Sequence, residues 1–151
     1  MAACTFFGHH DCPRAIKTDL RAALVELIEQ HDTDTFYVGN QGAFDEMVRG
    51  VLFELKQRYP HIRYTIVLAY MPPNRSIAKT EDANSMLPEG IEMQPKRFAI
   101  VWRNRWMLQR AEYVVAYVEH SFGGAARFVE LAEKQGKTVI HIAKDHRSRE
   151  K

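Results

Sequence analysis

The run RYTIVLAY, residues 63–70, is apolar through nearly all of its centre. A strand with one wet face alternates polar and apolar residues, whereas a strand covered on both faces reads as continuous apolar sequence, as in parallel sheets. Four more runs look strand-like: ACTFF at 3–7, DTFYVG at 34–39, EYVVAYVE at 112–119 and KTVIHIA at 137–143. Between them the period changes. Ile16, Leu20, Leu24, Leu27 and Ile28 fall at helical spacing, as do Phe44, Met47, Val48, Val51, Leu52 and Leu55; helical patterning returns over 96–111 and 124–136. Gly136 sits where a helix C-terminal glycine belongs. Five strands alternating with four helices predict an α/β fold, a Rossmann-like three-layer sandwich on a mainly parallel five-stranded sheet with right-handed crossovers.

The length of 151 residues fits one core, and with no repeat or linker in view, residues 1–151 are expected to form a single domain. The segment 71–95 is rich in Pro, Asn, Ser and charge and has no clear period, which marks it as a candidate lid or binding loop. A net charge of +2 is too small to imply a polyanion-binding surface, so nucleic acid is not expected as the partner. Cys4 and Cys12 form neither a disulfide framework nor a CxxC pair. With no basic leader in MAACTFFGHH and no apolar stretch of membrane-spanning length, a cytoplasmic, membrane-free protein is expected.

In a sheet of this kind ligands bind outside the carboxyl ends of the strands. The sharpest features of the sequence lie at those ends: FGHHDCP after the first strand, GNQGAFD after the second, and SFGGAAR after the fourth. Gly123 and Gly124 either make a tight strand-to-helix turn that needs positive φ, or let an anion approach backbone N–H groups at a helix start. The same alternatives apply to Gly39 and Gly42, with Asn40 and Gln41 as polar contacts. Asp45 suits the start of its helix. Arg103, Trp106 and Arg110 share a stripe, where arginine either recognises phosphate or covers an aromatic. His9 and His10 follow Gly8 and could meet a phosphate or ribose; with Cys4 and Cys12 they supply no clear metal set. No GxxxxGK[ST] and no G-x-S-x-G occur, which argues against a phosphate-loop NTPase and a serine hydrolase. Neither a metal nor a resident cofactor is expected.

Together, Gly8-His9, the Gly39, Gly42, Phe44 and Asp45 series, RNRWM at 103–107 and SFGGAARFVE at 121–130 resemble the SLOG superfamily, the Rossmann-like group of LOG phosphoribohydrolases, DprA-type and YpsA-like proteins. The resemblance covers nearly the whole chain. It implies that the glycine pair cradles the phosphate or ribose of a nucleotide-derived ligand, with Gly8, His9, His10, Gly39, Asn40, Gln41, Gly42, Asp45, Arg103, Ser121, Phe122, Gly123, Gly124, Ala125 and Arg127 at the site. For a LOG-like enzyme it implies that Arg103 and Glu130 act on an N-glycosidic bond. The chain departs from the LOG motif where Phe122 replaces its proline and Ala126-Arg127 its Gly-Thr, and its Gly39–Gly42 spacing is one residue shorter than the G-x-x-x-G of the YpsA-like and DprA-type proteins.

Three functions follow, in order of preference: sensing or sequestering a nucleoside phosphate or ADP-ribose-type signal; hydrolysis of a nucleoside monophosphate at its N-glycosidic bond; and a nucleic-acid-associated role of the DprA type. Trp102, Trp106 and Met107 crowd one helix with more apolar surface than a sheet face need cover, so homo-oligomers are expected.

Overall fold

Among the described residues six strands, all parallel, lie in the order β4-β3-β2-β1-β5-β6. The computed structural model describes residues 2–69, 84–119 and 123–142; Ser121, Phe122 and much of the 71–95 segment lie outside them. The strands are β1 (Ala2–Gly8), β2 (Thr33–Val38), β3 (Arg63–Val67), β4 (Asn84–Met86), β5 (Tyr113–Tyr117) and β6 (Thr138–His141). The helices are α1 (Lys17–Gln30), α2 (Gly42–Arg58), α3 (Lys96–Gln109) and α4 (Gly124–Lys134), with short 3₁₀ turns at Arg14–Ile16 and Ile91–Met93.

The sheet thus has one strand more than the five expected. The addition, β4, is an edge strand of three residues, Asn-Ser-Met, paired with Thr65, Ile66 and Val67. It is too short to express a period, and asparagine and serine carry no strand preference, so the sequence around it reads as loop.

Alternation along each strand sends side chains to two separate cores. Phe6, Phe36, Val38, Ile66 and Val115 pack with Leu20, Leu24 and Leu27 of α1 and Val48, Leu52 and Leu55 of α2. Phe7, Val67, Val114 and Ala116 pack on the opposite face with Met107 and Leu108 of α3 and Phe128, Val129 and Ala132 of α4. This is the three-layer arrangement. Phe6 and Phe36 are at most 1% exposed, and burying each contributes about 1.5–3 kcal/mol. Phe7 stacks on Phe128 at 5.3 Å between ring centroids, tying β1 to α4. Cys4 is a packing residue here: burial raises its thiol pKa far above the ordinary value, which keeps it protonated.

The order of the strands fixes where a ligand can enter. From β1 the chain builds outward through β2 and β3 to β4, then returns to place β5 on the other side of β1. Helices that follow strands in opposite directions lie on opposite faces when crossovers are right-handed. The loops after β1 and β5 therefore diverge, and a crevice opens between them at the carboxyl ends.

Candidate functional site

That crevice is a cavity of about 600 Å³. Its walls come from the end of β1 (Phe6 to Gly8), the following His9, His10 and Asp11, the α2 entry (Gln41, Asp45), and one face of α3 (Ile100, Arg103, Asn104, Met107). Tyr117 and Glu119 after β5, with Gly123, Gly124 and Ala125 at the start of α4, complete it.

Three glycines near it are required by the protein's own packing. A Cβ on Gly8 would stand 2.3 Å from the Phe44 ring, so the strand end must be bare for α2 to seat. On Gly39 it would stand 2.5 Å from the Arg103 guanidinium and 2.7 Å from the Asp45 carboxylate. Gly42 has φ of +89° and lies against the His10 ring, while the Ala43 N–H donates to the His10 carbonyl at 2.7 Å. These contacts lock the β1 loop to the α2 entry. His9 closes the other side: its Nε2 accepts the Glu119 N–H at 2.8 Å, and its ring meets Tyr117 edge-on.

Arg103 and Asp45 are the charged groups buried deepest at the cavity, 3% and 9% exposed. The Arg103 Nη1 donates to the Val67 carbonyl at the end of β3, at 3.0 Å, and Nε donates to Asn104 Oδ1 at 2.8 Å. Asp45 Oδ2 accepts the Gln41 N–H at 3.0 Å, capping α2. Burial pushes the Asp45 pKa up, and the nearby Arg103 guanidinium and the Gln41 amide pull against it. Arg103 thus spans α3, β3 and the cavity.

Gly124 differs from Gly8, Gly39 and Gly42, each of which has a side chain close against it. Gly123 has φ of +97° as the N-cap of α4, a conformation that favours glycine. Gly124 takes the first helical position, and a Cβ there would meet no atom of the described residues within 4 Å. The fold does not demand a bare backbone at Gly124. It leaves open space beside the cavity, where the first N–H groups of α4 have no intrahelical partner.

Of the remaining expected residues, Gln41 and Ala125 reach the cavity wall, and Asn40 lies beside it, accepting a 3.4 Å bond from Gln41 Nε2. Arg127 is exposed, off the cavity wall, with its N–H on the Gly123 carbonyl at 3.1 Å. Glu130 is also exposed and away from the wall, 3.7 Å from Lys134. The hydrolytic pair of Arg103 and Glu130 is not brought together at the cavity. Sequence reasoning passed over Asp11, Tyr117, Glu119, Ile100 and Asn104 as site residues, and Met107 entered it only as part of the RNRWM motif and of the helix's apolar surface. The strand-end rule would have found Tyr117 and Glu119; the others follow from the α3 stripe through Arg103 and from the loop after His10. Of the three side chains expected to crowd α3, Met107 is buried and Trp106 packs edge-on against Tyr37, so only Trp102 is exposed.

A scan against protein-family models matches nothing, and a search of curated proteins gives no significant match. Solved structures do match. DNA processing protein A (DprA) from Streptococcus pneumoniae superposes with a TM-score of 0.68 at 13% identity, over 93% of this chain and 50% of that one. The chain carries a Rossmann-like α/β fold like that of this protein. DprA from Helicobacter pylori matches with a TM-score of 0.65 at 13% identity, over 93% of this chain and 64% of that one. The chain spans half to two thirds of the length of these proteins, and at such identity the likeness is one of fold.

The second of these structures concerns the single-stranded DNA binding mode of the H. pylori protein. The expectation that nucleic acid is not the partner, drawn from net charge, is overturned by it. The physical reason is that a whole-chain sum hides local charge. Helix α3 by itself carries Lys96, Arg97, Arg103 and Arg105 and no carboxylate. No helix of the described residues is long and apolar enough to cross a membrane.

Proposed function

We propose that this chain is a nucleic-acid-associated domain of the DprA type, which holds one nucleotide unit of a single strand at the carboxyl ends of β1 and β5. The observation that carries the proposal is Gly124: an unobstructed backbone at the first turn of α4, facing a nucleotide-sized cavity. Phosphate there receives N–H donors and the positive end of the helix dipole. The SLOG-type likeness to DprA supports taking that nucleotide from a strand.

A second reading, capture of a free nucleotide-derived ligand, is favoured by Asp11 and Glu119 on the cavity wall. Carboxylates accept hydrogen bonds from sugar hydroxyls and repel further phosphates, which suits a ribonucleotide better than a polyanion. Hydrolysis of such a ligand is not proposed, because Glu130 stands away from the cavity.

Proline is tolerated at a first helical position and removes only the N–H there, so G124P should fold. Its loss of one charge-assisted hydrogen bond, about 1.5–3 kcal/mol, should weaken single-stranded oligonucleotide binding about 10- to 100-fold, whereas G124A keeps the donor. Fluorescence anisotropy in a salt series checks this. Equal affinities of wild type and G124P would remove the proposal; binding of ribonucleoside phosphates with none of oligonucleotides would select the second reading.

A further inference from the structure

The opening of α3 runs against what helix stability favours. A first helical turn holds unpaired N–H groups and partial positive charge, so carboxylates belong there and cations do not. α3 has no acidic residue in that turn and begins Lys96-Arg97, both exposed, with exposed Arg105 two turns further on. The same helix presents apolar surface to water: Phe98 is 49% exposed, and Ile100, Val101 and Trp102 are each at least 36% exposed. Arg97 lies over the Phe98 ring, 4.9 Å from its centroid. Ile100 also lines the cavity, as does Asn104 one turn on. The patch begins where the cavity ends.

We infer that this face of α3 is the track along which a single-stranded nucleic acid leaves the cavity. Bases lie on Phe98 and Trp102, and phosphates lie against Arg97 and Arg105. Aromatic faces interleaved with cations are the pattern that binds single strands without reading their sequence. Apolar residues alone would suit a protein partner; the exposed cations Arg97 and Arg105 set among them match a polyanion. From Phe98 to Arg105 the helix rises about 10 Å, room for a strand to continue beyond one nucleotide. The inference rests on the proposed nucleotide site and extends it from a unit to a strand.

The test compares a 5′-phosphorylated thymidine dinucleotide with an oligothymidylate of about 20 nucleotides, both titrated against wild type, F98A and R97Q/R105Q, with circular dichroism to verify folding. F98A should weaken the oligomer about tenfold, as loss of one stacked base does, and leave the dinucleotide unchanged. R97Q/R105Q should flatten the slope of log affinity against log salt by about 1.4 for two lost phosphate contacts. Its exposed positions keep the test valid should F98A unfold. Variants that bind the oligomer like wild type, or that lose dinucleotide and oligomer equally, would overturn the track while leaving the cavity site standing. Failure of wild type to bind either probe would overturn both.

Discussion

Asp45 and Arg103 sit where a catalytic pair would be sought, yet their contacts are those of a framework. Asp45 caps α2 through the Gln41 amide and Arg103 fastens α3 to the end of β3. Because burial lifts the Asp45 pKa above its ordinary 3.8, the folded chain holds that proton more tightly than the unfolded chain does. The group therefore costs nothing below that value and works increasingly against folding as pH climbs through it toward the folded pKa. Asn at position 45 removes the titration. The stability of wild type relative to D45N, from urea midpoints, should fall as pH climbs above 3.8 through the raised pKa of the folded state. A rise over that range would mean that Arg103 outweighs burial. The glycines teach the limit of reading single residues. Gly8, Gly39, Gly42 and Gly124 were all legible as places where something comes close, but for the first three it is Phe44, the Arg103–Asp45 charges and His10. A glycine looks the same in sequence whether a ligand or the protein's own side chain needs the room.

At the level of elements, local chemistry was legible wherever it was self-contained. The end of α4 is a full Schellman motif: the Gly136 N–H donates to the Glu133 carbonyl at 3.1 Å and the Lys137 N–H to that of Ala132 at 3.0 Å. Gly136 has φ of +79° with open space around it, so G136A should cost about 1–2 kcal/mol of stability through backbone strain alone, with oligonucleotide affinity unchanged. A thermal melt indistinguishable from wild type would contradict the cap. The strands with apolar centres emerged from sequence because burial on two faces writes itself into composition. β4 did not, because three edge residues paired only with β3 leave no such mark. The exposed face of α3 was also missed as such: Arg103 was weighed on a stripe with Trp106 and Arg110, and only the structure separates buried Arg103 from exposed Arg97 and Arg105.

For the whole molecule, the decisive feature is the reversal of strand order at β1, and no local pattern encodes it. Pairing of β1 with both β2 and β5 is a long-range choice. From it follow the crevice and the gathering of the β1, α2 and α4 entries, so the expectation of a site at strand carboxyl ends located the loops without ranking their residues. Net charge failed at the same scale, since +2 for the chain is compatible with a strongly basic α3. The central claim is that a nucleotide unit of a strand sits at the N-terminus of α4. Its most direct test is an ¹H–¹⁵N titration with single-stranded oligothymidylate. The largest shifts are expected at the Gly124 and Ala125 amides and the Gly8–Asp11 loop, saturating together, with smaller ones along α3. Shifts confined to surfaces away from these amides, or none at low salt, would contradict it.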